Sequence, residues 1–313
     1  MCPLRPIKTA RIVDLLRRSA PGRAKDLDDL FRRVQPKFQL ETEEEEILLK
    51  ACPTTKTVTL GTKGSCRLQA HAYAAGVFLT ALGTPGYLEM TPEKRGQLYD
   101  PANCLLTWAV GRDLQQWLKR IEGTERDLDG IMARAGADLP KGMLRGLSEE
   151  QRIFGNGLFR LATAFIILHE LAHLDLEHTV CEGPRSMTQE READRYAAKW
   201  LLECPGMGCT HRLECLFAIA IALIWLTVFH VYLGRSKSRT HPQSHERLIE
   251  LLDDIIDKES DDERLVIWDF VARTLFVHMD NAGIPVECEP MQGCPRQRVG
   301  YLVEWLSKKE PWQ

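Results

Sequence analysis

The stretch LFRLATAFIILHELAHLDLEH, residues 158–178, places two histidines and a glutamate in an otherwise apolar run. Between residues 158 and 176 it contains no Gly or Pro and few β-branched residues, which predicts an α-helix. Residues four apart lie on one face of a helix, about one turn apart, so His169 and His173 project together. Apolar residues on nearly all sides predict a buried helix, where two histidines and a carboxylate are costly unless something satisfies them.

The order His169-Glu170-x-x-His173 is the spacing with which one helix face offers two imidazole nitrogens to a zinc ion. Glu170 directly follows His169, so it flanks the metal and does not bind it. From there it can accept a proton from a water molecule that the metal activates. The alternative interpretation is a core helix with two satisfied histidines.

A second predicted helix carries acidic residues at the same helical spacing. Sixteen residues separate His173 from Glu190, and the Gly183-Pro184 pair breaks the chain between them. Glu190 and Asp194 then lie on one stripe of a helix whose other face is apolar. This arrangement predicts Glu190 as a third zinc ligand, and Asp194 as a residue that holds a ligand histidine by its other nitrogen. The alternative is a solvated acidic face balanced by the neighbouring arginines.

HExxH followed by ExxxD on the next helix resembles the signature of gluzincin-type metallopeptidases. The particular form, HELAHLDLEH with EREADRYAAKWLL and later THPQSHERL, is similar to the Lit-type phage-exclusion peptidases. More distantly it is similar to the membrane-associated HtpX-like peptidases, and the resemblance covers about residues 150–252. It implies that His169, His173 and Glu190 bind zinc and that Glu170 is the catalytic base. It also implies a host protein substrate, elongation factor Tu in that family, and a role in phage defence.

Hydrolysis of a peptide bond also needs a donor for the oxyanion that develops at the scissile carbonyl. The sequence does not rank the candidates for this role or for contacts to the substrate, which are His230, His241 and Arg247 together with Tyr196, Tyr232 and His245.

Composition and periodicity predict an α+β fold that is mainly α-helical, with a zincin-like pair of active-site helices and a small β-sheet or hairpin. Residues 47–49 and 56–60 are predicted as the strands of that hairpin. We expect an N-terminal helical segment, residues 1–45, and a metallopeptidase domain, residues 46–313. Within the domain, residues 148–257 form the active-site core and residues 258–313 the C-terminal helices.

The overall charge and the N-terminal sequence bear on partners and location. The 313 residues have a net charge of −3, which gives no electrostatic case for binding nucleic acid. The first eleven residues lack the apolar run of a signal peptide. We therefore expect a cytoplasmic protein whose cysteines are free thiols.

Residues 215–233 carry no charge over nineteen positions, enough for a membrane span. A single crossing would place Glu190 and Arg247 on opposite sides of a membrane, so we prefer a buried core helix. Two features suggest restraint of activity: the strand at residues 56–60, which could pair with an extended substrate, and the Gly-rich segment 122–147, which could cover the cleft. An activating peptide or protein would then release the restraint.

Three functional classes compete. The first is a zinc endopeptidase with a specific protein substrate. The second is a membrane-embedded quality-control peptidase of the HtpX-like kind. The third is a non-catalytic, zinc-binding regulatory protein, and the presence of Glu170 argues against it because a structural zinc site does not need that residue.

Overall fold

Helices make up most of the described structure. The computed structural model describes residues 5–41, 49–82, 146–179, 184–232, 244–281 and 294–308, with isolated residues between 84 and 106. The helices are α1 (Thr9–Ser19), α2 (Ala24–Val34), α3 (Thr62–Leu82), α4 (Glu149–Asp175), α5 (Pro184–Leu202), α6 (Cys209–Tyr232), α7 (Ser244–Ile256), α8 (Asp261–Asn281) and α9 (Pro295–Lys308), with a short 3₁₀ turn at Pro21–Arg23.

A small mixed sheet accompanies the helices. Its strands are β1 (Arg5–Ile7), β2 (Lys37–Glu41), β3 (Leu49–Cys52) and β4 (Thr57–Gly61), in the spatial order β1-β2-β4-β3. β1 is antiparallel to β2, β2 is parallel to β4, and β3 and β4 form an antiparallel hairpin. The predicted mainly helical α+β class is therefore confirmed.

The substrate strand predicted from the sequence is wrong, and the sheet order gives the reason. β4 lies between β2 and β3, so its backbone groups on both sides are engaged within the sheet. It has no edge to offer a substrate. β3 is an edge strand of the described sheet, and it packs against α4.

Helix α4 runs through the centre of the fold. Ser148 caps its start by accepting from the Gln151 backbone N–H, while the Gln151 side chain accepts from the Ser148 N–H, a reciprocal cap that satisfies two unpaired donors. Helices α1, α2, α3, α5 and α6 and strand β3 all pack against it. Contacts on every side explain why its sequence is apolar nearly all round.

Helix α6 contains the long uncharged stretch. Its side chains from Cys215 to Ala222 are buried in the same core as α4. By length and composition alone, α4 and residues Cys209–Val228 of α6 are each long and apolar enough to cross a membrane, but 72% and 67% of their apolar windows are buried inside the protein. Within the chain, α6 therefore packs as a core helix.

Two features inferred from the sequence fall outside the described residues. The boundary predicted at residue 45 lies in the undescribed segment 42–48, and the division into domains stays a prediction. Helices α1 and α2 contribute Ile12, Leu16 and Leu30 to the core that α4 shares. The Gly-rich segment expected to cover the cleft, 122–147, lies almost wholly in the undescribed residues 107–145.

Candidate active site

Donor atoms of three residues from two helices meet in the interior beside β3. His169 Nε2 and His173 Nε2, one turn apart on α4, are 3.1 Å from each other. Glu190 on α5 reaches them with its two carboxylate oxygens, at 3.4 Å from His169 Nε2 and 3.5 Å from His173 Nε2. Among the described residues these three form the group suited to hold a metal ion. The structure thus brings together the three ligands predicted from the sequence.

The spacing of the donor atoms fits a tetrahedral zinc site. Ligands about 2.0–2.1 Å from a zinc ion in tetrahedral geometry lie roughly 3.3–3.4 Å from one another. The two imidazole nitrogens, 3.1 Å apart, lie close to that value, and each has one oxygen of the Glu190 carboxylate at 3.4 or 3.5 Å. Two imidazoles and one carboxylate are also the donor set of many catalytic zinc sites, which leave the fourth position open.

A buried ion pair lies beside His169. Its Nδ1 lies 2.9 Å from Asp194 Oδ1, one turn beyond Glu190 on α5. Arg247 on α7 donates to both Asp194 oxygens, from Nε at 2.8 Å and Nη2 at 2.7 Å, and its Nη1 lies 3.0 Å from Glu190 Oε2. These contacts give Asp194 the predicted position beside a ligand histidine. They commit the Arg247 guanidinium to two carboxylates, which does not favour the oxyanion role expected for it.

Burial and the neighbouring charges shift the pKa values of His169 and His173 in opposite directions. Burial disfavours the charged form of His169, but the carboxylates of Asp194 and Glu190 outweigh it and raise the pKa of His169 to about 10. Burial and the positive charge of His169 lower the pKa of His173 to about 3. Burial opposes ionisation of Asp194, yet Arg247 and His169 keep its pKa below the ordinary value. The site therefore favours one positive charge between the two Nε2 atoms and Glu190.

A residue that the sequence analysis missed holds His173. His178, five residues further on, has its Nδ1 2.8 Å from His173 Nδ1. Its Nε2 lies 3.1 Å from Glu192 Oε2 on α5. His178 and Glu192 lie within the HELAHLDLEH and EREADRYAAKWLL segments. His178 nevertheless follows the end of the predicted helix, where helical spacing no longer indicates which residues are neighbours.

Glu170 lies beside the three donor residues, facing strand β3. Its Oε2 accepts a hydrogen bond of 2.6 Å from the Ala51 backbone N–H. Burial raises the pKa of the Glu170 carboxyl, which the charge of His169 and the Ala51 hydrogen bond partly offset. A carboxyl whose pKa is raised above the ordinary value is better suited to accept and return a proton.

Of the other candidates for contacts to an oxyanion, one lies away from the donor atoms, and the side chains of the rest are not described. Tyr196 donates from its hydroxyl to Asp175 Oδ2 at 2.9 Å, near the end of α4, and not toward the donor atoms. His241 lies outside the described residues. His230 and Tyr232 belong to α6 and His245 to α7, but their side chains are also outside the described set.

Comparison with known proteins places the chain in a family. The Peptidase U49 family model matches residues 87–271. The cell death peptidase of Escherichia coli (strain K12) is 30% identical over 109 residues, which are 35% of this chain and 36% of that protein. The match thus spans about a third of that relative's length, and no solved structure matches the chain. Because the family match covers more than half of the 313 residues and includes His169, Glu170, His173 and Glu190, the chain belongs to the Peptidase U49 family.

Proposed function

We propose that this peptidase is a zinc-dependent endopeptidase in which His169, His173 and Glu190 hold the metal and Glu170 is the proton-transfer residue. The observation that carries the proposal is the donor triangle formed by His169 Nε2, His173 Nε2 and the Glu190 carboxylate. The two nitrogens are 3.1 Å apart, and a different Glu190 oxygen lies 3.4 Å from the first and 3.5 Å from the second, which suits a tetrahedral zinc site. The adjacent, partly buried carboxylate of Glu170 supplies the proton acceptor that metal-assisted hydrolysis also requires.

Each residue of the site then has a distinct task. A zinc ion held here supplies Lewis-acid chemistry, which polarises the scissile carbonyl and makes water acidic enough to lose a proton near neutral pH. Glu170 accepts that proton as the water oxygen attacks the carbonyl carbon. It then delivers the proton to the amine nitrogen as the peptide C–N bond breaks. Asp194, itself fixed by Arg247, orients His169.

The edge strand β3 is the proposed docking site for an extended substrate segment. Ala51 is paired with Val58 of β4, yet its N–H points the other way, to Glu170. In an antiparallel pair the N–H and C=O of one residue point to the same side, so the Ala51 carbonyl also faces the site. The alternation along a strand gives Leu49 the same orientation. A substrate strand added at this edge would bring its backbone past Glu170.

We further propose that the substrate is one specific protein in the cytoplasm, with elongation factor Tu as the first candidate, and that the enzyme acts in defence against phage. The resemblance of HELAHLDLEH and the EREADRYAAKWLL segment to the Lit-type peptidases supports this substrate. The similarity to a protein named cell death peptidase agrees with an action on the host cell. An activating peptide or protein would restrict cleavage to infected cells.

The proposed mechanism is tested by zinc analysis of purified protein together with a peptidase assay on Glu170→Gln. We expect about one zinc per chain in the wild type and in Glu170→Gln, since the glutamate is not a ligand. Activity of the variant should fall by several orders of magnitude because proton transfer is lost. The double variant His169→Ala, His173→Ala should lose the metal.

Glu150→Gln is the matched control, because Glu150 is an exposed residue in the first turn of the same helix. It should retain both zinc and activity. Wild-type protein without zinc, or full zinc in the double histidine variant, would refute the metal site. Near-normal cleavage by Glu170→Gln would remove Glu170 from the mechanism while leaving the metal site in place.

A further inference from the structure

The side chain of His178 is buried but lies outside the donor triangle. It is 6% exposed and lies three residues beyond the end of α4 at Asp175. Its ring meets the His173 ring edge-on, with centroids 4.9 Å apart and planes at 69°. The contact is between the two Nδ1 atoms, at 2.8 Å, whereas His173 faces Glu190 with Nε2. His178 therefore approaches His173 on the side away from the donor triangle, and it is not a fourth ligand.

A backbone reversal brings His178 back toward the helix. Glu177 adopts a left-handed conformation with φ 54°, and the His178 N–H donates to the His173 carbonyl at 3.0 Å. This six-to-one bond after a left-handed residue is a Schellman-type helix end, a role usually taken by Gly or Asn. Its effect here is to bring the His178 ring edge-on against the imidazole of His173.

The hydrogen-bonding capacity of Glu192, His178 and His173 determines which ring nitrogens carry protons. The Glu192 carboxylate oxygen accepts, so the facing His178 Nε2 carries a proton and donates across 3.1 Å. A neutral His178 then has a bare Nδ1, which accepts across 2.8 Å from a protonated Nδ1 of His173. Neutral His173 is left with its lone pair on Nε2, the atom that points into the donor triangle.

The two ligand histidines are thus held in different ways. His169 is fixed by the buried Asp194–Arg247 pair. His173 is instead contacted by His178, which in turn contacts Glu192, whose side chain is 52% exposed. An exposed carboxylate on α5 can be replaced without opening the core, so its contribution to the site can be measured separately from the stability of the fold.

We propose that His178 and Glu192 form a positioning pair that fixes the tautomer and the ring orientation of His173, and thereby raises the affinity of the site for its metal. The inference rests on the proposed zinc site. Neither residue touches substrate or metal; both act through His173. Outer partners of ligand histidines in general fix the metal-binding nitrogen in this way, and their loss typically costs about 10- to 100-fold in metal affinity or activity.

The test is a chelator competition for zinc with full-length protein, at one fixed pH. Glu192→Ala and His178→Leu should each weaken zinc binding by about 10- to 100-fold. His178→Gln should bind zinc nearly as tightly as the wild type, because its amide oxygen can accept from His173 Nδ1–H. Glu203→Ala is the matched control, since Glu203 directly follows α5, is 46% exposed and pairs with Lys199 away from the site; it should leave zinc affinity unchanged.

A second readout separates positioning from packing. In metal-free protein with ¹⁵N-labelled histidine, NMR should show the His173 proton on Nδ1 in the wild type and in His178→Gln, and a mixture of tautomers in Glu192→Ala. Wild-type zinc affinity in both Glu192→Ala and His178→Leu would overturn the positioning pair while leaving the zinc site intact. Equal loss in His178→Gln and His178→Leu would also overturn it. A wild type that binds no zinc would refute the proposed function itself.

Discussion

Replacing Gly155 by alanine tests how closely the site helix α4 lies against α3. A Cβ atom at Gly155 would stand 2.6 Å from Cδ1 and 3.0 Å from Cα of Tyr73. Ordinary carbon–carbon contacts are about 3.5–4.0 Å, so the helices would have to separate by roughly 0.5–1 Å. Tyr73 is fully buried and its hydroxyl donates to Asn156 at 2.7 Å, so the ring is held in place. Such overpacking costs about 1–3 kcal/mol.

Gly157→Ala is the matched control for Gly155→Ala in the same helix. No described atom lies within 4 Å of a Cβ atom at Gly157. Both variants gain about 1 kcal/mol from replacing a helical glycine, so their difference isolates the close approach. In urea titrations followed by circular dichroism, Gly155→Ala should have a free energy of unfolding lower than that of Gly157→Ala by about 1–3 kcal/mol. Equal stabilities, or a more stable Gly155→Ala, would refute the packing argument.

Two further predictions concern the site and its substrate. Asp194→Ala should weaken zinc binding by about 10- to 100-fold in chelator competition, because His169 loses its partner; unchanged affinity would make Asp194 a structural residue only. The enzyme should digest casein slowly and cleave one protein of a bacterial lysate, with elongation factor Tu tested first; rapid, unselective casein digestion would contradict the proposed selectivity.

The donor residues were predictable because helices impose a fixed spacing. His169 and His173 share a face through their separation of four residues, and Glu190 and Asp194 do so on the next helix. A hairpin was predicted from the alternation at residues 56–60, and the observed strands Leu49–Cys52 and Thr57–Gly61 overlap the predicted ones. These inferences needed only local periodicity.

Contacts between segments that are distant in the sequence could not be predicted, because no local periodicity indicates them. Strand β1 has only three residues, one of them Pro6. Strand β2 pairs in parallel with β4, although β3 lies between them in the sequence. The bond from Ala51 to Glu170 joins residues 119 apart, and its donor is a backbone N–H. Every residue except proline has that group, so the identity of residue 51 does not indicate the contact. The sequence predicted an edge strand at residues 56–60, whereas the structure places that strand inside the sheet and β3 at the edge.

His178 was missed for a related reason. Helical spacing predicts neighbours only up to the helix end, and the chain reverses after it at Glu177. Glutamate is not a residue that marks a left-handed helix end in a sequence, as Gly or Asn would. Arg247 was singled out from the sequence, but its partner Asp194 lies 53 positions away on another helix. Its contacts could be assigned only from the packing of α7 against α5.

The balance of charge in the site links its chemistry to the stability of the fold. Glu190 and Asp194 are buried acidic groups, Glu170 beside them is partly buried, and Arg247 is a buried cation that pairs with Glu190 and Asp194. A metal ion binds neutral imidazoles and so displaces the proton that His169 otherwise carries. With both imidazoles neutral and the three carboxylates ionised, three negative charges oppose the one positive charge of Arg247, which leaves an excess of two. Unpaired charge in a low-dielectric interior is strongly destabilising, and a divalent cation would cancel that excess at the point where the three donor atoms converge. A metal bound there would therefore contribute folding free energy as well as chemistry, which explains how a peptidase can keep so many ionisable groups in its core.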